Sequence, residues 1–91
     1  MQAYVEVYDN MGTDYYYAEL TVQRQKVILA RHQGLYKVKE KELDFSNIHD
    51  LSVEQGDKQR QIKFFCGEEH FTFFDEGNGI VSYLYGAFLT A

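Results

Sequence analysis

The sequence contains no proline and a single cysteine, Cys66. One cysteine excludes an intramolecular disulfide framework and is typical of a protein in a reducing compartment. The first residues, MQAYVEVYDNMG, contain no basic stretch followed by an apolar run, so no secretory signal is expected. The apolar stretch at the end is shorter than the roughly 20 residues that span a bilayer as a helix. These absences predict a cytoplasmic protein.

Positive charge is scarce as well, because 9 Lys and Arg residues stand against 14 Asp and Glu residues, for a net charge of -5. This balance opposes attraction to nucleic acid or to an anionic membrane, which clustered basic side chains favour. Nucleic acid is therefore not expected as a partner, and membrane contact is expected only through anionic lipid. The glycine spacings GxGxxG and GxxxxGK, which hold nucleotide phosphates, are also missing, so no cofactor is predicted.

Hydrophobic residues, in contrast, make up 45% of the 91 residues, and aromatic residues make up 16%. A chain of this length has to commit nearly all of its apolar side chains to one core. We therefore expect a single domain over residues 1–91 that folds without a metal or a cross-link.

Apolar and polar residues alternate along most of the chain, as they do in antiparallel strands. Turns separate about seven such segments: AYVEVY, YYYAELTV, KVILARH, GLYKVKEKELDF, HDLSVEQ, KQRQIKFFC and HFTFFDE. The pattern predicts a mainly β fold, an antiparallel bent barrel or sandwich with one C-terminal helix. In the fourth segment, Tyr36 and Val38 are even-numbered whereas Leu43 and Phe45 are odd-numbered, so a bulge or a break is expected between them.

The last segment, NGIVSYLYGAFLTA at residues 78–91, has helical periodicity and no charged side chain. Asn78 is the expected N-cap of this helix. A stripe with helical spacing is expected to cover the barrel, and it consists of Ile80, Tyr83, Leu84, Ala87 and Phe88.

A second apolar row of the helix, Val81, Tyr85 and Leu89, lies beside a column of small residues, Ser82, Gly86 and Thr90. Because one small domain cannot cover both rows, we predict a homo-oligomer or a protein partner docked on the second row. The alternative is that Tyr85 lies flat on the surface and that the last turn frays.

Three segments resemble a known family. YAELTVQRQKVIL, KELDFSNIHDLSV and FTFFDEGNGIVSYL are similar to segments of the pleckstrin-homology-like superfold, in particular its small bacterial PH-like and GRAM-like domains. The resemblance covers almost the whole chain and consists of apolar positions and turns. It implies six or seven strands in meander order, bent into a partly open barrel with the helix at one end, and binding of phosphoinositides, peptides or proteins.

Basic residues mark the first loop of the lipid-binding members of this superfold. The corresponding loop here, DNMGTD, carries Asp9 and Asp14 and no base. Elsewhere, Lys37, Lys39 and Lys41 alternate and are expected to project from one face of a strand, where they could hold phosphate groups. The pattern is more typical of a solvated face or of an edge strand that lysines protect from aggregation.

Aromatic side chains are concentrated near the N-terminus. Alternation sends Tyr16 to one face of its strand and sends Tyr15 and Tyr17 to the other. Either the latter two anchor an interface, or they pack across strands.

Catalytic and metal-binding patterns are weak. Cys66 and His70 flank a three-residue turn that would place a thiol and an imidazole at one hairpin end. No residue is placed to orient the imidazole, and cysteine also behaves as a small hydrophobe, so no enzyme activity and no catalytic residue are predicted. The donors around Cys66, namely Glu68, Glu69 and His70 with the more distant His49, lack a repeated ligand spacing, so no metal site is predicted.

The sequence therefore favours a non-catalytic protein-interaction or oligomerisation module. The predicted partner interface consists of Val81, Tyr85, Leu89, Gly86, Tyr15 and Tyr17. The alternative is a peripheral binder of anionic lipid or of another anion that uses Lys37, Lys39 and Lys41.

Overall fold

The computed structural model describes residues 1–33 and 37–90, except for the side chains at positions 32, 33, 37 and 39. Antiparallel strands form one sheet: β1 (Gln2–Asp9), β2 (Gly12–Gln23), β3 (Lys26–Gln33), β4 (Lys37–Asp44), β5 (Ile48–Gln55), β6 (Arg60–Cys66) and β7 (Glu69–Asp75). A 3-10 turn, Phe45–Asn47, joins β4 to β5, and the C-terminal helix, α1, spans Ile80–Leu89. The predicted mainly β fold with one C-terminal helix is confirmed.

The strand order is β4-β3-β2-β1-β7-β6-β5, which departs from a simple meander because β1 pairs with both β2 and β7. As a result, β4 and β5 follow each other along the chain yet form the two edges of the sheet. The sheet curls into a half-barrel that is open between them. Backbone hydrogen bonds anchor the 3-10 turn to both halves, since Phe45 donates to Gln25 at 2.9 Å and Gly67 donates to Asn47 at 3.1 Å.

The prediction of a bulge or a break between Val38 and Leu43 is wrong, because the antiparallel pairing of β3 with β4 continues along the described strand without a register shift. Val38 is 52% exposed and faces away from the core, whereas Leu43 is buried. Tyr36 lies outside the described residues. The register shift occurs instead in β5, between His49 and Ser52.

Three phenylalanine rings form the centre of the core. Phe64 stacks on Phe71 at 5.7 Å and on Phe73 at 5.8 Å between ring centroids. The helix adds Phe88, whose ring meets Phe64 edge-on at 5.3 Å and Phe45 at 5.0 Å. Burying a large side chain of this kind contributes about 1.5–3 kcal/mol, so the contacts of Phe88 help to hold α1 against the sheet.

The buried stripe of α1 differs from the predicted one at a single pair of positions. Ile80, Val81 and Leu84 are fully buried, whereas Tyr83 is 37% exposed. The hydroxyl of Tyr83 accepts a hydrogen bond from the backbone N–H of Val22 at 3.4 Å, so this side chain lies along the rim of the sheet. The helix is therefore rotated so that Val81 belongs to the core.

Asp75, at the end of β7, fixes where α1 begins. Its buried carboxylate accepts backbone hydrogen bonds from Gly77 at 2.8 Å, from Gly79 at 3.3 Å and from Val81 at 3.3 Å. Burial raises the pKa of this carboxyl. The N–H donors and the nearby charge of Arg60 together lower it by more, so the pKa of Asp75 lies below its ordinary value. Asp75 is thus a charged cap that ties the helix to the sheet.

Asn78, the expected N-cap, lies one residue before the actual N-cap, Gly79, which has a left-handed backbone with φ of 83°. The Asn78 side chain still contributes, because its Oδ1 accepts from the N–H of Ile80 at 3.2 Å and its Nδ2 donates to the carbonyl of Gln2.

We expect Asp75→Asn to lower the free energy of unfolding by about 1–2 kcal/mol at pH 7, because an amide NH2 would face a backbone donor and the charge would be lost. Since folding lowers the pKa of Asp75, its stabilisation is complete above the unfolded pKa of about 3.9 and is lost as the pH falls through the folded value. Denaturant unfolding at several pH values should show the two proteins converge in acid. The neighbouring exposed Glu76→Gln is the control, and equal stability of Asp75→Asn and wild type at pH 7 would contradict the assignment.

Candidate interaction surfaces

The outer row of α1 is partly available to a partner. Tyr85 is 42% exposed and Leu89 is 66% exposed, as the sequence suggested for these two residues. The prediction that Val81 belongs to the partner interface is wrong. Its side chain has no exposed surface, because Val81 is part of the buried stripe of α1 and its N–H donates a hydrogen bond to the Asp75 carboxylate. At Gly86 an added Cβ would meet nothing within 4 Å, so this position faces open space.

A shallow cleft of about 380 Å³ separates β5 from α1. Its lining residues are Leu51, Ser52, Val53, Arg60, Val81, Ser82 and Tyr85. Leu51 and Val53 form the strand side of the cleft, Tyr85 forms the helix side and the buried Val81 lies at its floor. The cleft therefore joins the predicted helix surface to an edge strand, a connection that sequence periodicity could not show.

Tyr15 and Tyr17 lie on the other face of the sheet. They are 53% and 51% exposed, and both approach Tyr4, which stacks on Tyr15 at 5.4 Å and meets Tyr17 at 4.8 Å. Phe74 completes the group with its ring 5.8 Å from that of Tyr15. We call these four residues the outer-face aromatic cluster. The tyrosines pack across strands, as one alternative predicted, and they remain half exposed, so their role as interface anchors stays a prediction.

A cavity of about 340 Å³ lies beside the turn between β1 and β2. Its charged lining residues are Asp9, Asp14, Arg31, Glu40, Lys41 and Glu69. Arg31 pairs with Asp14 at 2.6 Å, and Lys41 pairs with Glu69. Because both lining bases are already paired and carboxylates outnumber them, the described part of this cavity is poorly suited to a phosphate group.

The three alternating lysines fall on the edge strand β4, where their alternation suits an edge that repels other strands. Lys41 shares a face with the buried Leu43, and its ammonium lies 5.6 Å from the Phe71 ring centroid. Lys37 and Lys39 pair with β3 through their backbones, and their side chains lie outside the described residues. Anion binding by the three lysines together therefore stays a prediction.

No protein-family model matches the sequence, and no curated protein matches it. Among solved structures, the chain is similar to the pleckstrin homology (PH) domain of USP37, with a TM-score of 0.60 over 99% of this chain and 98% of that one. The chain has a PH-like fold.

The sequence identity to the USP37 domain is 13%, so the PH-like similarity shows the fold and not a shared site. The narrower resemblance to bacterial and GRAM-like members has no support in this comparison. Within the described residues, no helix of this PH-like chain is long and apolar enough to cross a membrane, and no group of three or more potential ligands is placed to hold a metal ion.

Cys66 and His70, the weak catalytic candidates, lie on opposite faces of the sheet. Cys66 packs against the core beside Phe64, whereas His70 meets Phe65 edge-on at 4.7 Å on the outer face. Burial and the neighbouring charge of Glu69 raise the pKa of the Cys66 thiol. The geometry brings together no thiol–imidazole pair at this hairpin.

We expect Cys66 to react with iodoacetamide only at a higher pH than an ordinary thiol, because burial and Glu69 disfavour its thiolate. Glu69→Gln should move the alkylation profile to lower pH, since it removes a negative charge and releases Lys41 from its ion pair. Rapid alkylation of the wild type below the pH of a free cysteine would contradict this placement of the thiol.

Proposed function

We propose that the chain is a non-catalytic protein-interaction module that binds an extended segment of another protein along β5, in the cleft beside α1. The observation that carries this proposal is an edge strand with a cleft directly beside it, lined by both apolar and polar side chains. A PH-like fold is consistent with a protein-binding role.

The backbone of β5 can supply hydrogen bonds to such a segment. β5 pairs with β6 on one side, and none of the described strands lies on its other side. The N–H and C=O groups that point away from β6 therefore form a template on which an added strand can pair. Main-chain pairing of this kind contributes affinity, and side-chain pockets contribute specificity.

The two edges of the sheet differ in how well they resist added strands. β4 reads KVKEKELD, in which charged side chains occupy six of the eight positions. β5 reads IHDLSVEQ and carries only Asp50 and Glu54 as acids, with no Lys or Arg. Since charges on an edge strand oppose pairing with another chain, β5 is the more receptive edge.

The cleft gives the bound segment a side-chain pocket. Val53 is 38% exposed and Tyr85 is 42% exposed, so both lose further apolar surface when a side chain enters between them. Full burial of one aliphatic or aromatic side chain contributes about 1.5–3 kcal/mol. Arg60 also lines the cleft and makes no ion pair with another described residue, so an acidic residue next to the apolar one would fit.

A second copy of the chain is the other occupant that the sequence suggested, and a homo-oligomer remains part of the proposal. A cytoplasmic location, expected from the single cysteine, also belongs to it. The alternative of anion binding by Lys37, Lys39 and Lys41 stays a prediction, because only Lys41 has a described side chain, and that side chain pairs with Glu69.

We expect peptides selected from a random library to bind the wild type through β5 and to lose at least tenfold in affinity for Tyr85→Glu, because the charge would be buried in the cleft. Fluorescence titration measures the affinity, and hydrogen exchange should show slower exchange of β5 amides in the complex. Tyr8→Glu is the matched control, since Tyr8 is a 56% exposed tyrosine outside the cleft. Equal binding to Tyr85→Glu, or binding without protection of β5, would count against the site.

Light scattering over a range of concentrations tests the oligomer separately. If copies meet on the helix, the wild type should be a defined oligomer that Tyr85→Glu disperses, and Gly86→Ala should weaken it by blocking close approach. In the monomer, Gly86→Ala should instead raise the free energy of unfolding by about 0.5–1 kcal/mol, because alanine is the better helix former and its Cβ has open space. A wild type that is monomeric throughout would exclude self-association and leave a different protein as the occupant.

A further inference from the structure

The outer-face aromatic cluster is an unusual surface for a solvent-facing sheet. Tyr4 and Tyr15 lie nearly parallel, with 5° between their ring planes, and Tyr17 and Phe74 flank them. Tyr15 and Tyr17 each leave about half of their surface exposed, at 53% and 51%. Flat, exposed aromatic faces attract cations as well as apolar groups.

Carboxylates surround the cluster. Glu6 lies directly opposite Tyr15 in the ladder between β1 and β2, and Glu19 is on the same face of β2 as Tyr17, two residues further along. Glu76 follows β7 next to the cluster, and burial, Glu76, Tyr4 and Glu6 together raise the pKa of the Tyr15 hydroxyl. The charges of Glu76 and Glu6 therefore act on Tyr15.

No base of the described residues neutralises these carboxylates. Glu6, Glu19 and Glu76 take part in no ion pair among the described residues. Lys63 lies on the same face, but the register separates it from Glu6 by Thr72, and it already pairs with Glu54 at 2.8 Å. The surface is thus aromatic at its centre and negative at its rim.

We propose that the outer-face aromatic cluster binds a basic segment of a partner protein, with arginine or lysine side chains lying on the tyrosine rings and pairing with the surrounding glutamates. A guanidinium meets an aromatic face and a carboxylate at once because its plane stacks while its edge donates hydrogen bonds. The protein already contains one such arrangement, since Arg31 lies 4.4 Å from the Tyr16 ring centroid and pairs with Asp14 at 2.6 Å.

A basic protein segment fits this surface better than the other classes of partner. Nucleic acid and anionic lipid would meet only carboxylates there, which repel phosphate. A second copy fits less well, because it carries the same net charge of -5 and because four of its cations, Lys26, Arg31, Lys41 and Lys63, are already paired with acids. The surface lies on the face of the sheet opposite the core and helix, so it is independent of the cleft beside β5.

The test is an NMR titration with the peptide Gly-Arg-Gly-Arg-Gly and with the same peptide in which neutral citrulline replaces arginine. We expect the arginine peptide to shift the ring resonances of Tyr4, Tyr15 and Tyr17, and the citrulline peptide to bind at least fivefold more weakly. Tyr15→Leu, which keeps an apolar side chain but removes the aromatic face, should weaken binding about threefold, in line with an exposed cation–π contact. Glu76→Gln should weaken it by a similar factor.

Glu68→Gln is the matched control, because it removes one exposed carboxylate at the far end of β7, in the turn before His70. It should leave the affinity for the arginine peptide unchanged. Equal losses for Glu68→Gln and Glu76→Gln would overturn the proposal, since binding would then follow net charge alone. Shifts confined to residues outside the cluster, or burial of the cluster by a second copy in solution, would overturn it as well.

Discussion

The carboxylate of Asp75 determines how the rest of the molecule is arranged. Asp75 is the last residue of β7, and its carboxylate accepts hydrogen bonds from backbone N–H groups of the following turn and of the start of the helix. With the start of α1 held there, the rotation of the helix is set, and Leu84 and Phe88 come down on the phenylalanine stack. Everything that α1 leaves exposed, including the side of the cleft formed by Tyr85, follows from that one attachment point.

Much of the fold was predictable because strand alternation reports directly on the two faces of a sheet. Ile62, Phe64, Phe71 and Phe73 face the core as their spacing indicates. The helix was harder, since an apolar segment does not show which of two adjacent rows meets the sheet. The hydrogen bond from Val81 to Asp75, a residue outside the helix, favours the rotation in which Val81 is buried and Tyr83 is partly exposed. The edge strand misled in a similar way, because Val38 is hydrophobic yet faces outward.

The candidate surfaces were less predictable than the fold, because each depends on strand order. The tyrosines of β2 were visible in the sequence, but Phe74 joins them only because β1 pairs with β7. The cleft likewise requires that β5 be an edge and that α1 run beside it. Pairing between residues that are distant in sequence creates both features, and periodicity along the chain carries no information about such pairing.

The unequal edges of the sheet also limit the assemblies that the chain can form. Unlimited growth by strand addition needs two receptive edges, one on each side of every copy. Here β4 carries six charged side chains among its eight residues, whereas β5 carries two, Asp50 and Glu54. If two copies paired through β5, they would form an antiparallel, two-fold symmetric pair, in which each copy uses its more receptive edge. Such an association closes on itself at a dimer, and the charged edges that remain outside protect it against fibre formation.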